Sequence, residues 1–165
     1  MKTLSKILIA PLFVFAFLLF SCSSDDDEDV QANCGPEYCV ADLQGTWNAT
    51  SVLFTPCVFE GFEGIDIIAE GGTAQMVVQS NGRFTLTVAF PGEGSESFTG
   101  QIYFEDGVWF AIQFDEDPPN DPTYFGDTLS GNTFSLNGGP ETAEFDFDDD
   151  GEDECASVYL RFEKV

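Results

Sequence analysis

Apolar and polar residues alternate along much of this chain, and short turn sequences separate the alternating segments. Between residues 83 and 90, Phe84, Leu86, Val88 and Phe90 fall on one face of an extended chain. A period of two is typical of a strand with one buried face. The same pattern recurs around residues 47–54, 75–80, 98–104, 108–114, 124–129, 133–136, 143–147 and 158–162. No stretch beyond residue 22 has a helical period, so the sequence predicts an all-β fold of eight or nine strands.

The turns between these segments predict how the strands are connected. Asn81-Gly82 and Asp106-Gly107 each lie between two alternating segments, and such pairs favour two-residue hairpin turns of type I′. A further hairpin is expected around Gly131-Asn132. Strands joined by tight hairpins lie side by side in an antiparallel up-and-down meander. Eight such strands can close into a barrel without free sheet edges, and a β-sandwich is the alternative.

The first 21 residues have the layout of a secretory signal peptide. Lys2 and Lys6 precede a largely apolar run from Ile7 to Phe20, and a positive segment followed by an apolar one is the pattern of such signals. The run is shorter than the roughly 20 residues that a membrane-spanning helix needs. We therefore favour removal of residues 1–21 over the alternative, an uncleaved anchor helix.

The residues at the expected cleavage site resemble the lipobox of bacterial lipoproteins. The segment Leu19-Phe20-Ser21-Cys22 has a leucine three positions before the modified cysteine and a small residue next to it. Phe20 departs from the small or polar residue that is usual there. The resemblance implies that Cys22 carries a diacylglycerol and a further fatty acyl chain such as palmitate, and several acyl chains give stable membrane anchoring.

An acidic run follows this cysteine. Residues 25–29 are Asp-Asp-Asp-Glu-Asp, and like charges at this density keep a chain extended. Residues 22–42 are therefore expected to form a lipidated acidic tether and a cysteine-containing lead-in. The run also resembles the export signal of lipoproteins from Bacteroidota, which implies display on the outer membrane, facing the cell exterior.

Acidic residues far outnumber basic ones. The chain has 30 Asp and Glu against five Lys and Arg, a formal net charge of −25, and loss of Lys2 and Lys6 with the signal would bring it to −27. Such a surface repels nucleic acid and anionic lipid headgroups and favours cations. We expect no nucleic-acid partner. The expected partners are a membrane, through the lipid on Cys22, and a small hydrophobic ligand.

The first strand carries a second family resemblance. Gly45-Thr46-Trp47 is similar to the Gly-x-Trp signature of lipocalins and of lipocalin-like lipoproteins of Bacteroidota, which implies a lipocalin-like eight-stranded barrel over residues 43–165. In that family the tryptophan plugs one end of the barrel and a basic residue of the last strand lies across its ring. Arg161 matches that residue best, with Lys164 second. The alternation places Trp47 on one face with Ala49, Ser51 and Leu53.

Four cysteines follow the lipidation site, and disulfides are the default for an even number in an exported protein. In a closed barrel the first and last strands lie side by side and antiparallel, which brings Cys57 near Cys155. Cys34 and Cys39, five positions apart with Gly35 and Pro36 between them, would then pair locally. Zinc is the less favoured alternative, because the chain has no histidine and no paired Cys-x-x-Cys units.

An acidic turn precedes the last strand. Its core, Asp-x-Asp-x-Asp-Gly, supplies oxygen ligands at the spacing that calcium loops use. The candidate ligands are Asp146, Asp148, Asp150, Glu152 and Glu154. The twelfth position of the loop is Ser157 rather than an acid, so this is not an EF-hand. Calcium is the one candidate cofactor, and a solvated acidic turn is the equal alternative.

The sequence offers little for catalysis. Histidine, the commonest general base, is absent, and there is no Gly-x-Ser-x-Gly elbow or glycine-rich phosphate loop. Acid pairs of a glycoside hydrolase are the catalytic alternative, but nothing singles out a pair. We therefore expect no enzyme. The expected function is binding of a small apolar or amphipathic ligand in the barrel; the alternative is a non-catalytic structural or interaction protein with a filled barrel.

Overall fold

The computed structural model describes residues 33–57, 63–92, 94–148 and 150–165. Cys22, the acidic run at 25–29 and the expected signal peptide lie outside these residues. The described part contains a short 3₁₀ helix, Val40–Leu43, and ten strands. The strands are β1 (Gly45–Pro56), β2 (Ile65–Asp66), β3 (Thr73–Val78), β4 (Arg83–Ala89), β5 (Ser95–Glu105), β6 (Trp109–Phe114), β7 (Thr123–Ser130), β8 (Thr133–Gly138), β9 (Ala143–Phe145) and β10 (Glu154–Lys164).

Eight of these strands form a closed antiparallel ring. Its order is β1-β3-β4-β5-β6-β7-β8-β10, and β10 pairs back onto β1. The lipocalin-like up-and-down barrel is therefore confirmed, and the sandwich alternative is excluded because the hydrogen-bonded ring is continuous. The two remaining strands are short additions: β2 pairs with the later part of β1, and β9 pairs with the start of β10.

A β-bulge in β1 changes which side chains face the barrel interior. Ala49 opposes Phe162 and Ser51 opposes Arg161, so Thr50 is left over in the pairing with β10. One extra residue moves all later side chains to the other face. Trp47 is buried before the bulge, and Val52 is buried after it. The expected common face of Trp47, Ala49, Ser51 and Leu53 is therefore wrong beyond the bulge.

The hairpins lie where the turn sequences predict them, but their geometries differ. Asp106 and Gly107 both have positive φ, 53° and 68°, as a type I′ turn requires. At Asn81-Gly82 only the glycine has positive φ, 84°, and its N–H donates to Gln79 O at 2.9 Å. This is a longer loop built on a type I turn and a left-handed glycine, not the two-residue turn that the sequence favours.

The chain before β1 packs into one end of the barrel, which we call the closed end; β1 begins and β10 ends there. Val40 and Leu43 are buried in the same core cluster as Trp47, Phe104 and Phe134. Tyr38 packs edge-on against Phe104, and its hydroxyl donates to the Asp127 carboxylate. Burial, and then this hydrogen bond, raise the pKa of Tyr38. No helix in the described ranges is long and apolar enough to cross a membrane.

Candidate ligand-binding cavity

A cavity of about 540 Å³ occupies the other end of the barrel, which we call the open end. β1 ends and β10 begins at this end. All but six of the described lining residues are apolar, and eight of the apolar residues are phenylalanines. The lining phenylalanines are Phe54, Phe84, Phe90, Phe98, Phe114, Phe125, Phe145 and Phe162. A volume of this size falls within the range of about 300–1,000 Å³ that is usual for small-molecule sites.

Period-two alternation brings these side chains into the interior. On β4, Phe84, Leu86 and Val88 point inward together and all three line the cavity. Towards the closed end the interior is filled, since Trp47 and Phe134 are fully buried and their ring centroids are 5.8 Å apart. Leu86, by contrast, is only partly buried. The barrel is therefore packed solid at one end and open to a cavity at the other.

Aromatic contacts connect the wall of the cavity to the acidic turn. The Phe54 and Phe145 rings stack with centroids 4.7 Å apart, and the ring centroids of Phe145 and Phe147 are 5.0 Å apart. Phe54 comes from β1 and Phe145 from β9, so the added strand β9 extends the apolar wall beyond the ring of eight strands. This contact positions the residues that follow Phe145 at the rim of the cavity.

Carboxylates form the polar part of the lining. Besides Thr142, the polar lining residues are Glu96, Glu116, Glu144, Asp146 and Asp153. Three of the five lie outside the strands, after β6, after β9 and before β10, and Glu144 lies within β9. The fifth, Glu96, lies within β5 opposite Val88. None of the lining residues that the structure describes is basic. We call these five residues the acidic rim.

A disulfide fixes the strands beside this rim. Cys57 is bonded to Cys155 with their Cα atoms 5.5 Å apart, and Cys57 N–H donates to Cys155 O at 2.9 Å. The bond joins the end of β1 to the start of β10, as barrel closure predicts. Cys34 is bonded to Cys39 in the segment before β1. Both pairings predicted from the sequence are therefore present.

The structure brings together three of the five candidate calcium ligands. Carboxylate oxygens of Asp146, Asp148 and Asp150 lie within 4.8 Å of one another, whereas Glu152 and Glu154 are not part of this group. Glu154 instead accepts a hydrogen bond from Phe147 N–H at 2.9 Å. Asp146 accepts hydrogen bonds from the N–H groups of Asp150 and Gly151. Three oxygens are half of the smallest calcium shell, so calcium binding stays a prediction.

Lys164, not Arg161, is the basic residue that lies across Trp47. Lys164 Nζ is 5.1 Å from the centroid of the Trp47 ring, and the register places Trp47 opposite Lys164. Arg161 is exposed and opposes Ser51, because its neighbours Leu160 and Phe162 take the inward positions. The prediction that Arg161 lies across the Trp47 ring is therefore wrong, and Lys164, the second candidate, takes this position. Trp47 plugs the closed end, as the resemblance implies.

Two acidic residues with structural roles were not predicted from the sequence. Asp115 accepts a hydrogen bond from each of two guanidinium nitrogens of Arg83, at 2.7 and 2.6 Å, and one from Thr99 at 2.6 Å. Arg83, and then Thr99, hold the pKa of Asp115 well below its usual range. These partners lie on β4 and β5, so only the strand register could have revealed them.

Asp66 organises the segment that follows β2. Its carboxylate accepts hydrogen bonds from Ser51 Oγ at 2.8 Å, Val52 N–H at 3.1 Å and Ile68 N–H at 3.0 Å. Burial raises the pKa of Asp66, but the hydrogen bonds outweigh burial and lower it. The hydrogen bond from Ile68 N–H, two residues further on, forms an Asx turn, which aspartate favours. This preference is the one local feature of the sequence that could have predicted the role of Asp66.

Cys22, the expected lipidation site, lies outside the described residues. Comparison with known proteins identifies no family: no family model matches the chain, and no curated protein matches it.

Proposed function

We propose that this protein is a lipid-anchored binding protein whose barrel holds a small apolar or amphipathic molecule at its open end. The observation that carries the proposal is the cavity of about 540 Å³ lined by phenylalanine and aliphatic side chains. An apolar, concave site with a few polar groups at its edge is the usual form of a small-molecule site.

The contrast between the two ends of the barrel supports this proposal over a purely structural role. A filled barrel would bury its large side chains along its whole length, as Phe110 and Phe134 are buried near the closed end. At the open end Phe54, Leu86 and Leu160 are only partly buried and all face the cavity. Apolar surface left in water costs free energy, and an apolar ligand would remove that cost.

The expected location is also part of the proposal. The likeness of Leu19-Phe20-Ser21-Cys22 to a lipobox supports a lipid anchor on Cys22, and the acidic run at 25–29 supports display on the outer membrane, facing the cell exterior. The two disulfides are consistent with export, since disulfides persist in oxidising compartments. The proposed role is non-catalytic.

Titration calorimetry with linear alcohols from hexanol to dodecanol, on chain purified without detergent, tests the binding proposal. We expect one molecule bound per chain, an affinity that rises with alkyl length, and a negative heat-capacity change as apolar surface is buried. Native mass spectrometry of the same sample measures the stoichiometry independently. Absence of binding across the whole series would contradict the proposal and leave the structural alternative.

A further inference from the structure

We propose that the bound molecule is an amphipathic cation, an amine or quaternary ammonium with an apolar body, and that its charged group lies at the acidic rim. This inference rests on the proposed function, because it names the class of ligand for the same cavity. The apolar body would occupy the phenylalanine-lined interior, and the cationic group would remain at the open end beside the carboxylates.

The charged residues that line the cavity, within the described ranges, are all acidic. The rim contributes five carboxylates, and none of the lining residues within the described ranges is basic. The three basic residues of the barrel are placed elsewhere. Arg83 is paired with Asp115, Arg161 is exposed on the outer face of β10, and Lys164 lies over Trp47 at the closed end. The field at the cavity entrance therefore favours a positive charge.

Among the acidic rim residues, Glu96 has a position that indicates most directly where the charged group of a ligand would lie. It lies two residues before Phe98 on β5, so both side chains take the same face of the strand. The residue opposite Glu96 is Val88, which is 7 % exposed and lines the cavity. An inward position beside an apolar wall would ordinarily hold an apolar residue. A carboxylate there, at the boundary between the cavity and solvent, is placed to meet the charged end of an amphipathic ligand.

The aromatic lining favours the same sign of charge. Phe98 and Phe114 line the cavity beside the rim, with ring centroids 6.3 Å apart. The face of an aromatic ring attracts a cation and repels an anion. A fatty acid, whose head is anionic, would meet repulsion from the carboxylates. The same alkyl chain with an ammonium head would meet attraction from them, and from a ring face where it approaches one.

A matched series of three probes with one alkyl chain tests this inference: dodecylammonium and dodecanoate, each titrated below its critical micelle concentration, and dodecanol, titrated below its solubility limit. We expect dodecylammonium to bind most tightly and dodecanoate least, with a difference of at least about tenfold between these two. Raising the salt from about 0.01 M to about 1 M shortens the screening length from about 30 Å to about 3 Å. The difference should therefore shrink with salt, while dodecanol binding should not weaken.

Variants identify the carboxylates responsible. The double variant Glu96→Gln and Glu116→Gln should weaken dodecylammonium binding by at least about threefold, in keeping with the modest strength of solvated ion pairs, and should weaken dodecanol binding less than that. The double variant Glu37→Gln and Glu163→Gln is the matched control, because it also removes two negative charges, from exposed positions near the closed end. It should leave both affinities unchanged.

The outcomes separate the two proposals. If dodecanol binds but dodecanoate binds as tightly as dodecylammonium, the cavity is a ligand site and the cation inference is overturned. An equal loss of dodecylammonium binding in the control variant Glu37→Gln and Glu163→Gln would also overturn it, because the effect would then come from the overall charge of the chain. If none of the three probes binds, the proposed function itself fails. If the double variant does not fold, the single variants Glu96→Gln and Glu116→Gln, each compared with Glu163→Gln, make the same distinction.

Discussion

Lys164 Nζ lies 5.1 Å from the centre of the Trp47 ring, and the two residues face each other across the seam where β1 and β10 close the barrel. The indole N–H of Trp47 donates to Leu43 O at 2.7 Å, so the ring also holds the 3₁₀ helix. Gly45 makes room for this arrangement. Its φ is +138°, and a Cβ at that position would lie 2.8 Å from Lys164 Cε.

Gly45→Ala should destabilise the protein. A side chain at this φ is strained, which costs on the order of 1–3 kcal/mol, and the added Cβ would also displace Lys164 from Trp47. The free energy of unfolding, measured in urea, should fall by about this amount. Gly139→Ala is the control, because an added Cβ there meets no atom within 4 Å. Equal stabilities of the two variants would contradict the role assigned to Gly45.

The Cys57–Cys155 disulfide should matter far more for stability than Cys34–Cys39. The first joins residues 98 positions apart and the second joins residues five apart. On loop-entropy grounds a bridge across about 100 residues is worth roughly 4–5 kcal/mol, and a short loop is worth less. Urea unfolding of the two paired Cys→Ser variants compares them. Non-reducing peptide mapping checks the bonds, and a link between Cys34 or Cys39 and Cys57 or Cys155 would contradict the strand register.

The Arg83–Asp115 pair predicts a specific acid dependence. Since the pKa of Asp115 is lower in the folded protein than in the unfolded chain, the carboxylate contributes stability above the ordinary carboxyl range. This contribution is lost as the pH falls towards the lowered pKa. The difference in unfolding free energy between the unmodified chain and Asp115→Asn should therefore shrink between about pH 5 and pH 2.

Comparison with a variant of equal charge is needed here, because lowering the pH also relieves repulsion in so acidic a chain. Glu70→Gln removes one negative charge from an exposed residue and serves as that control. If the Asp115→Asn difference stays constant over the whole pH range, the pair does not stabilise the fold in the way proposed.

Cys22→Ala should abolish lipid attachment. Metabolic labelling with a clickable fatty acid, followed by membrane fractionation, should find label and membrane association in the unmodified chain and neither in the variant. The double variant Cys34→Ala and Cys39→Ala should keep both, because these cysteines are disulfide-bonded to each other in the segment before β1. Undiminished labelling of Cys22→Ala would contradict the lipoprotein proposal.

The ring of eight strands could be predicted because its signals are local. Alternation along each segment fixes a buried face, and turn sequences such as Asp106-Gly107 fix the connections. Closure of the ring then brings Cys57 to Cys155 with no further information. The predicted fold and both disulfides therefore follow from short-range pattern and topology.

The details that escaped prediction depend on pairing between distant residues. The bulge at Thr50 exists only relative to β10, and it decides that Val52 rather than Ser51 faces inward. The choice of Lys164 over Arg161 depends on the same register. Glu96 shares the parity of Phe98 and could have been placed inward by extending that strand. The volume of the cavity depends on how the phenylalanine side chains pack, which alternation does not determine.

A substitution that fills the entrance tests the central claim, that the open end of the barrel is a ligand site, most directly. Ala143 is a small lining residue of the cavity, and Ala143→Trp would place a large ring there. Ala41→Trp adds the same ring at an exposed position of the 3₁₀ helix at the closed end. With melting curves confirming that both variants fold, we predict that dodecanol binding is unchanged in Ala41→Trp and at least about tenfold weaker in Ala143→Trp. Equal dodecanol affinity in the unmodified chain and both variants would contradict the account.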